Sequence, residues 1–333
     1  MRLGVGISED LPVPVQQRLA VDVEGAGLTS LWTNEAAGRD ALLLCQAWAA
    51  ATTTLEVGIG VVPLWTRSPA QLAMASATLQ EVSGGRFLLG LGVSHPVTMG
   101  AWHGAQVVKP RTAAIEALTI LAQLEAGEAS DVDGEVLSSR RFRLNISPTP
   151  PPTRRYLAAM GPRMLETAGA HAHGTLLNWS TPAEVERAGD IVRSAAAAAG
   201  RTEPEVAAYV RIAVGEDREA ARGALAREIG GYCALPAYAA HFERQGLGEA
   251  VIRVKEAHKD GGGPSQLADA LGEEALGELG WYGTSADDVG PALARYERAG
   301  LDHLVARVVV TGDDAVGDVH RVVRALDPHT TRA

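Results

Sequence analysis

With 333 residues, 46% of them hydrophobic, the chain carries enough apolar material for a large core, either as one α/β barrel or as two smaller domains. A formal net charge of −10, from 40 acidic and 30 basic residues, excludes the basic face that a general nucleic-acid binder or a membrane-surface protein needs. Cys45 and Cys233 stand far apart in apolar contexts, the Gly-rich start is too short for a secretory leader, and no apolar run nears about 18 residues, so the chain reads as cytoplasmic, with buried thiols.

Residues 3–8 read as a strand, and residues 14–26 as a helix with Val15, Leu19 and Val23 on one face. A second strand at 28–33 precedes a helix that Asp40 caps and that carries Leu44, Trp48 and Ala51. The third strand is 55–62. Ser68-Pro69-Ala70-Gln71 is a capping box with proline at the first helical position, and its helix ends at Gly84-Gly85. The fourth strand is 86–92, and a loop leads to a helix at 111–125.

The texture then changes. Residues 129–152 read as an insertion: a small hairpin with arms at 133–135 and 142–146, then a proline-rich connector at 148–152. Alternation resumes with a strand at 155–159, a helix at 162–170 and a strand at 175–179. Thr181-Pro182-Ala183-Glu184 repeats the capping box before a helix reaching Gly200, and 206–214 is the seventh strand. Residues 217–280 form a helical excursion with a break at Gly261-Gly262-Gly263. It is either a lid over the substrate side or an outer-surface or dimer element. A helix capped at 285–288 and ending at Gly300, a strand at 303–310 and a helix at 313–326 complete the chain.

Eight strands, each followed by helical sequence, predict a closed (β/α)₈ TIM barrel: one domain over 1–333, with insertions after strands four and seven, whose first strand pairs with its eighth. An open doubly wound sheet would carry phosphate-binding glycines in its first strand–helix turn. Residues 8–14 contain none, and Gly90-Leu91-Gly92 lies fourth and lacks the third glycine.

Barrel chemistry lies at the C-terminal strand ends. Those ends hold no Gly-x-Ser-x-Gly elbow and no His-Glu-x-x-His spacing, and no metal is expected. His171 and His173 lack further ligands nearby and read as packing or solvent contacts. Met160-Gly161-Pro162-Arg163 opens a helix whose free N–H groups and adjacent guanidinium suit a phosphate, or is an ordinary helix start. Trp65 and the Trp102-His103-Gly104 loop are substrate wall or packing anchor.

Four segments then make the chain recognisable: Thr66-Arg67-Ser68-Pro69, Ser83-Gly84-Gly85-Arg86-Phe87, Ala158-Ala159-Met160-Gly161-Pro162-Arg163 and Leu176-Leu177-Asn178-Trp179. The sequence resembles the luciferase-like monooxygenase superfamily over essentially its whole length, in particular the branch dependent on the deazaflavin coenzyme F-420. The resemblance implies a coenzyme across the barrel mouth. Asn34 and Glu35 fall at the end of strand two near the ring, where the family often has Asp or His. With His95 they are the candidates for handling a proton. Gly6, Gly60, Val61 and Val62 would back the ring, with a cis peptide at Gly60–Val61. Val93 and Ser94 fall near the phosphate-bearing tail. Ala158, Ala159, Met160, Gly161, Pro162 and Arg163 fall where the family holds ring edge or phosphate, and Asn178 joins them. His171-Ala172-His173-Gly174 departs from the family's usual Ala-Asp-Gly, a local packing difference.

The implied activity is hydride transfer between F-420 and a small organic substrate, in a homodimer served by a separate reductase that recycles the coenzyme. The alternatives are an FMN-dependent two-component monooxygenase of the same fold and a coenzyme-binding protein without turnover.

Overall fold

Strand and helix alternate from the first residues of the computed structural model, which describes residues 1–327. β1 (Arg2–Gly6) leads into α1 (Val13–Gly25), β2 (Ser30–Thr33) into α2 (Ala41–Ala51), and β3 (Glu56–Pro63) into α3 (Pro69–Ser83). Asp40 accepts from the Leu42 and Leu43 N–H groups, and Ser68 accepts from that of Gln71. Both satisfy donors that a helix start otherwise leaves open. The Ser-Gly-Gly-Arg-Phe run has a structural meaning. Gly84 ends α3 in the left-handed conformation, and Arg86 then donates to the Ala49, Thr52 and Leu55 carbonyls, fastening the α2–β3 turn to the next strand.

β4 (Phe87–Gly92) is followed by α4 (Pro96–His103), a helix where the sequence suggests a loop; proline in its first turn and Gly104 at φ 62° bound it. After α5 (Pro110–Glu125) comes the expected hairpin, but its arms are β5 (Asp131–Asp133) and β6 (Ser138–Arg140). The Glu116 carboxylate accepts from the N–H groups of Glu135, Val136 and Leu137, which makes the turn where the sequence suggests an arm. Residues 142–146 are not a strand.

β7 (Arg154–Ala158), α6 (Pro162–His171), β8 (Gly174–Asn178), α7 (Pro182–Ala198) and β9 (Glu205–Gly215) restore the alternation. The excursion is four helices: α8 (Arg218–Cys233), α9 (Pro236–Arg244), α10 (Gly248–Lys259) and α11 (Pro264–Leu279), with the glycine break between the last two. β10 (Gly280–Thr284), α12 (Gly290–Arg298), β11 (His303–Val308) and α13 (Ala315–Leu326) close the chain.

The strands β1, β2, β3, β4, β7, β8, β9 and β11 pair in parallel in that order, and β11 returns to β1 from Arg2↔His303 to Gly6↔Arg307. The sheet is therefore a closed (β/α)₈ barrel, and the open-sheet alternative falls. β10 is an extra strand. It pairs with Arg211–Gly215 of β9, beyond the stretch that β8 covers. Two glycines in five residues, at the end of a long helical run, hid it from periodicity.

Helix faces carrying Leu19, Leu44, Trp48, Leu121 and Val192 pack on the outside of the barrel. The excursion builds a second apolar cluster from Trp179, Ile229, Phe242 and Leu276. At the N-terminal strand ends Arg2 and Arg154 alternate with Glu56 and Glu205, each arginine touching both acids. Among the described residues no helix is long and apolar enough to cross a membrane.

Candidate active site

Side chains two apart on a strand face the same way. Trp32, Leu88, Tyr156, Leu176, Tyr209 and Val305 make the cluster inside the barrel. Trp32 meets Tyr156 edge-on at 5.6 Å, and its indole N–H donates to Ser30 Oγ at 2.9 Å, so this layer is a closed floor. Two residues further along, the inward positions are Asn34, Ala158, Asn178, Arg211 and Arg307. They form the rim of the C-terminal mouth.

Two glycines shape what lies between floor and rim. A Cβ on Gly60 would sit 2.5 Å from both the Tyr209 hydroxyl and Leu176 Cδ2. A Cβ on Gly6 would sit 3.1 Å from the Tyr209 ring and 3.3 Å from Arg307 Cδ. The bare backbone at these positions is what lets Tyr209 and Arg307 occupy the centre. Strand β3 is irregular here: its register against β4 shifts between Ile59 and Val62, and the Gly60–Val61 peptide is cis. This is the bulge the family resemblance implies.

The polar groups of the mouth divide into satisfied and unsatisfied. Arg211 donates to Glu228 at 3.1 Å and to Asn178 Oδ1, and its guanidinium stacks 3.8 Å over the Trp179 ring. Asn178 Nδ2 donates to the Tyr238 hydroxyl at 3.0 Å, tying the rim to α9. The Tyr209 hydroxyl donates to the Thr33 carbonyl at 3.4 Å. Burial raises its pKa well above the phenol range, while the Arg307 and Arg211 charges pull the other way. Asn34 Oδ1, Glu35 Oε2 and Arg307 Nη1 are buried with no hydrogen-bond partner. A small-residue cradle beside the orphaned Asn34 and Glu35 oxygens fits a flat heteroaromatic coenzyme with polar edges.

The sequence-derived residues fall in three places. Gly6, Gly60, Val61, Ala158, Asn34 and Asn178 surround the cradle. Val62 and Ala159 belong to the main apolar core, and half-buried Val93 packs against it, rather than joining the cluster inside the barrel. Ser94, at φ 56°, leads to half-buried His95, which precedes α4. Met160 is half-buried, and its carbonyl accepts from Arg244 of α9 at 3.4 Å. Gly161 begins α6 without a side-chain cap, beside exposed Pro162 and Arg163.

Glu35 is committed elsewhere in part: Oε1 accepts from Arg67 at 2.5 Å, and Arg67 also holds Asp40 at 2.6 Å. Burial works against the Arg67 charge, but these carboxylates outweigh it and raise its pKa. Trp65 is an anchor, its indole donating to the Val93 carbonyl at 2.7 Å, and Trp102 lies exposed on α4. His173 Nδ1 accepts from the Arg155 N–H at 3.1 Å, and burial together with neighbouring arginines lowers its pKa to about 4.

The sequence patterns do not single out Arg211, Tyr209 or Arg307, because these residues lie within β9 and β11 rather than in the segments that follow them. The available signal was a charged residue at an inward position of an otherwise apolar strand.

A closed α/β barrel with unpartnered buried polar atoms of Asn34, Glu35 and Arg307 at its C-terminal mouth has the architecture of a barrel enzyme. More narrowly, the chain belongs to the luciferase-like monooxygenase family, whose model matches residues 3–303. It is similar to the 5,10-methylenetetrahydromethanopterin reductase of Archaeoglobus fulgidus, 30% identical over 313 residues that cover 92% of this chain and 93% of the other. Its fold matches the coenzyme F420 dependent tetrahydromethanopterin reductase of Methanopyrus kandleri with TM-score 0.82, 24% identity and 99% of each chain covered. It also matches an F420-dependent secondary alcohol dehydrogenase with TM-score 0.76, 17% identity and coverage of 98% and 99%.

Proposed function

We propose that this protein is an oxidoreductase that passes a hydride between coenzyme F-420 and a small organic substrate. The observation that carries this reading is the cradle: bare backbone at Gly6 and Gly60 beside the β3 bulge between Ile59 and Val62, inside a closed barrel mouth. Similarity to proteins whose names state dependence on coenzyme F420 supports F-420 over FMN.

Bound there, the deazaflavin would accept or release a hydride at a ring carbon and react poorly with oxygen. The chain's own residues would do the rest. Val61 and Ala158 would line the ring and exclude water around it, next to the Tyr209 and Arg307 side chains that the bare backbone of Gly6 and Gly60 admits. Asn34 offers a buried carbonyl to a ring or substrate edge. The uncapped start of α6 and Arg163 suit the coenzyme phosphate, with Ser94 next to it. His95 and Glu35 are the titratable groups at the rim that would move the proton.

We place two partners beside this activity: a second copy of the chain and a reductase that recycles the coenzyme. Leu43 at 65% exposure and Met74 at 53% line an outer groove between α2 and α3 that suits self-association. Calorimetric titration of the purified protein with F-420 and with FMN tests the central reading. Tight F-420 binding supports it. FMN binding without F-420 binding moves the protein to the oxygen-using monooxygenases, and binding of neither withdraws the coenzyme reading.

A further inference from the structure

Arg307 on β11 and Arg211 on β9 are register partners, so their side chains leave the same face of the sheet. That face is the inside of the mouth. Like charges directly opposite one another destabilise a sheet, and more so where water is scarce. Arg211 is compensated by Glu228, Asn178 and the Trp179 ring. Arg307 is not. Its Nη1 is buried without an acceptor, and among the described residues no carboxylate bridges to its guanidinium. Glu9 acts with both arginines on the Tyr209 phenol but forms no ion pair with Arg307. Glu9 Oε1 instead accepts from the Ala37 N–H at 3.4 Å.

A half-buried cation without a counter-ion is costly to keep, and this chain has ten more acids than bases from which a partner could be drawn. We propose that Arg307 is the receptor for a carboxylate on the substrate, and that the substrate class is a small organic monocarboxylic acid. This deepens the oxidoreductase reading and rests on it. One uncompensated guanidinium matches one carboxylate in charge, and its planar fork matches the two oxygens in shape. A phosphate would bring about two charges against one. The position is also apt. Arg307 Cδ passes 3.3 Å from the Cβ that Gly6 lacks, beside the Tyr209 ring that abuts Gly60, so an acid held there lies next to the bulge.

An oxyanion at Arg307 has a second source, the coenzyme itself, and the test separates the two. The unchanged protein, Arg307→Met and Arg307→Lys are titrated with acetate, butyrate and benzoate and with the corresponding amides. Each titration is made without coenzyme, with F-420 and with FMN, and coenzyme affinities are measured without acid. The expected result is an acid bound at least about tenfold better than its amide by the unchanged protein, a preference lost in Arg307→Met and partly kept in Arg307→Lys. Coenzyme affinity without acid stays within about threefold across the three proteins.

Equal binding of acid and amide by the unchanged protein overturns the proposal, and this needs no variant to fold. So does a preference that survives in Arg307→Met. A loss of coenzyme affinity of about tenfold in Arg307→Met, with no acid present, assigns the guanidinium to the coenzyme and also overturns it. Failure of F-420 to bind the unchanged protein strikes the coenzyme reading alone, because acid preference is read separately in the coenzyme-free protein.

Discussion

The Tyr209 hydroxyl lies 2.5 Å from the position a Cβ on Gly60 would take. These two residues come from strands on different sides of the barrel, and together they set the depth of the mouth. One added methyl must therefore move either the phenol or the bulge. Gly60→Ala should cost about 1–3 kcal/mol of stability, the usual range for overpacking. Adding Tyr209→Phe should recover part of that, because contacting sites are not additive. Urea unfolding of the two single variants and the double variant measures the coupling; strict additivity would mean the contact is not felt.

Arg163 is exposed and forms no part of a core, so Arg163→Ala should leave the melting temperature unchanged. Its loss should weaken coenzyme binding by about tenfold if the guanidinium meets the phosphate. Affinity equal to that of the unchanged protein would move the phosphate to the neighbourhood of Ser94 and His95.

Glu35 and His95 are the two residues proposed to move the proton, and substitution can tell them apart. Glu35→Gln keeps a hydrogen-bond acceptor for Arg67, and His95→Asn keeps a small polar side chain. The true carrier should lose about 100-fold or more in kcat with coenzyme affinity retained, whereas the other should change kcat only slightly. Small effects in both would place the proton with solvent or substrate.

At the opposite end of the barrel, Glu205 should make stability depend on acid. Burial by itself would raise its pKa, but the hydrogen bonds and charges of His303 and Arg2 outweigh that and lower it from 4.5 to about 2. A depressed carboxylate contributes stability that is present above its unfolded pKa and is lost as pH falls through the folded one. The contribution of Glu205 should therefore be present above 4.5 and fade from there toward about 2. Urea midpoints measured across that window should fall less steeply in Glu205→Gln, which is also less stable at neutral pH because Arg2 and Arg154 lose a partner. Parallel pH curves would assign the acid sensitivity to other carboxylates.

Arg67 joins Glu35 at the end of β2 to Asp40 at the start of α2. Arg67→Met should destabilise the protein by about 1–2 kcal/mol, less than a fully buried pair, because Asp40 is 39% exposed and screened by water. Thermal melts at low and high salt check this, and the effect should shrink as salt rises.

Much of the fold was legible in the sequence because it is written over short distances. The capping boxes at Ser68 and Thr181 and the glycine stops at Gly84-Gly85 mark helix ends through contacts within four residues. Strand and helix periods differ, so eight alternations could be counted without knowing where any strand lay. Where a distant group intervened, that reading slipped. Glu116 drew three N–H groups into a turn and moved the hairpin arms. The upper half of β9 recruited β10 from a segment with no strand pattern of its own.

The site divides along the same line. Family segments marked the Gly60–Val61 bulge, which β3 carries, and named Ala158–Arg163 and Asn178 as candidates in one dimension. Only closure of the barrel decided which side chains point inward, since a shift of one residue along a strand reverses every side chain on it. The sequence by itself determined the order of elements, the helix caps and the small residues of the cradle, all products of local backbone preference. The tertiary structure alone decided that Arg2 meets Glu205 across 203 residues, that Arg211 is neutralised by Glu228 and that Arg307 is left without a counter-ion. Charge pairing depends on distance in space, and in a barrel that distance is set by which strands become neighbours.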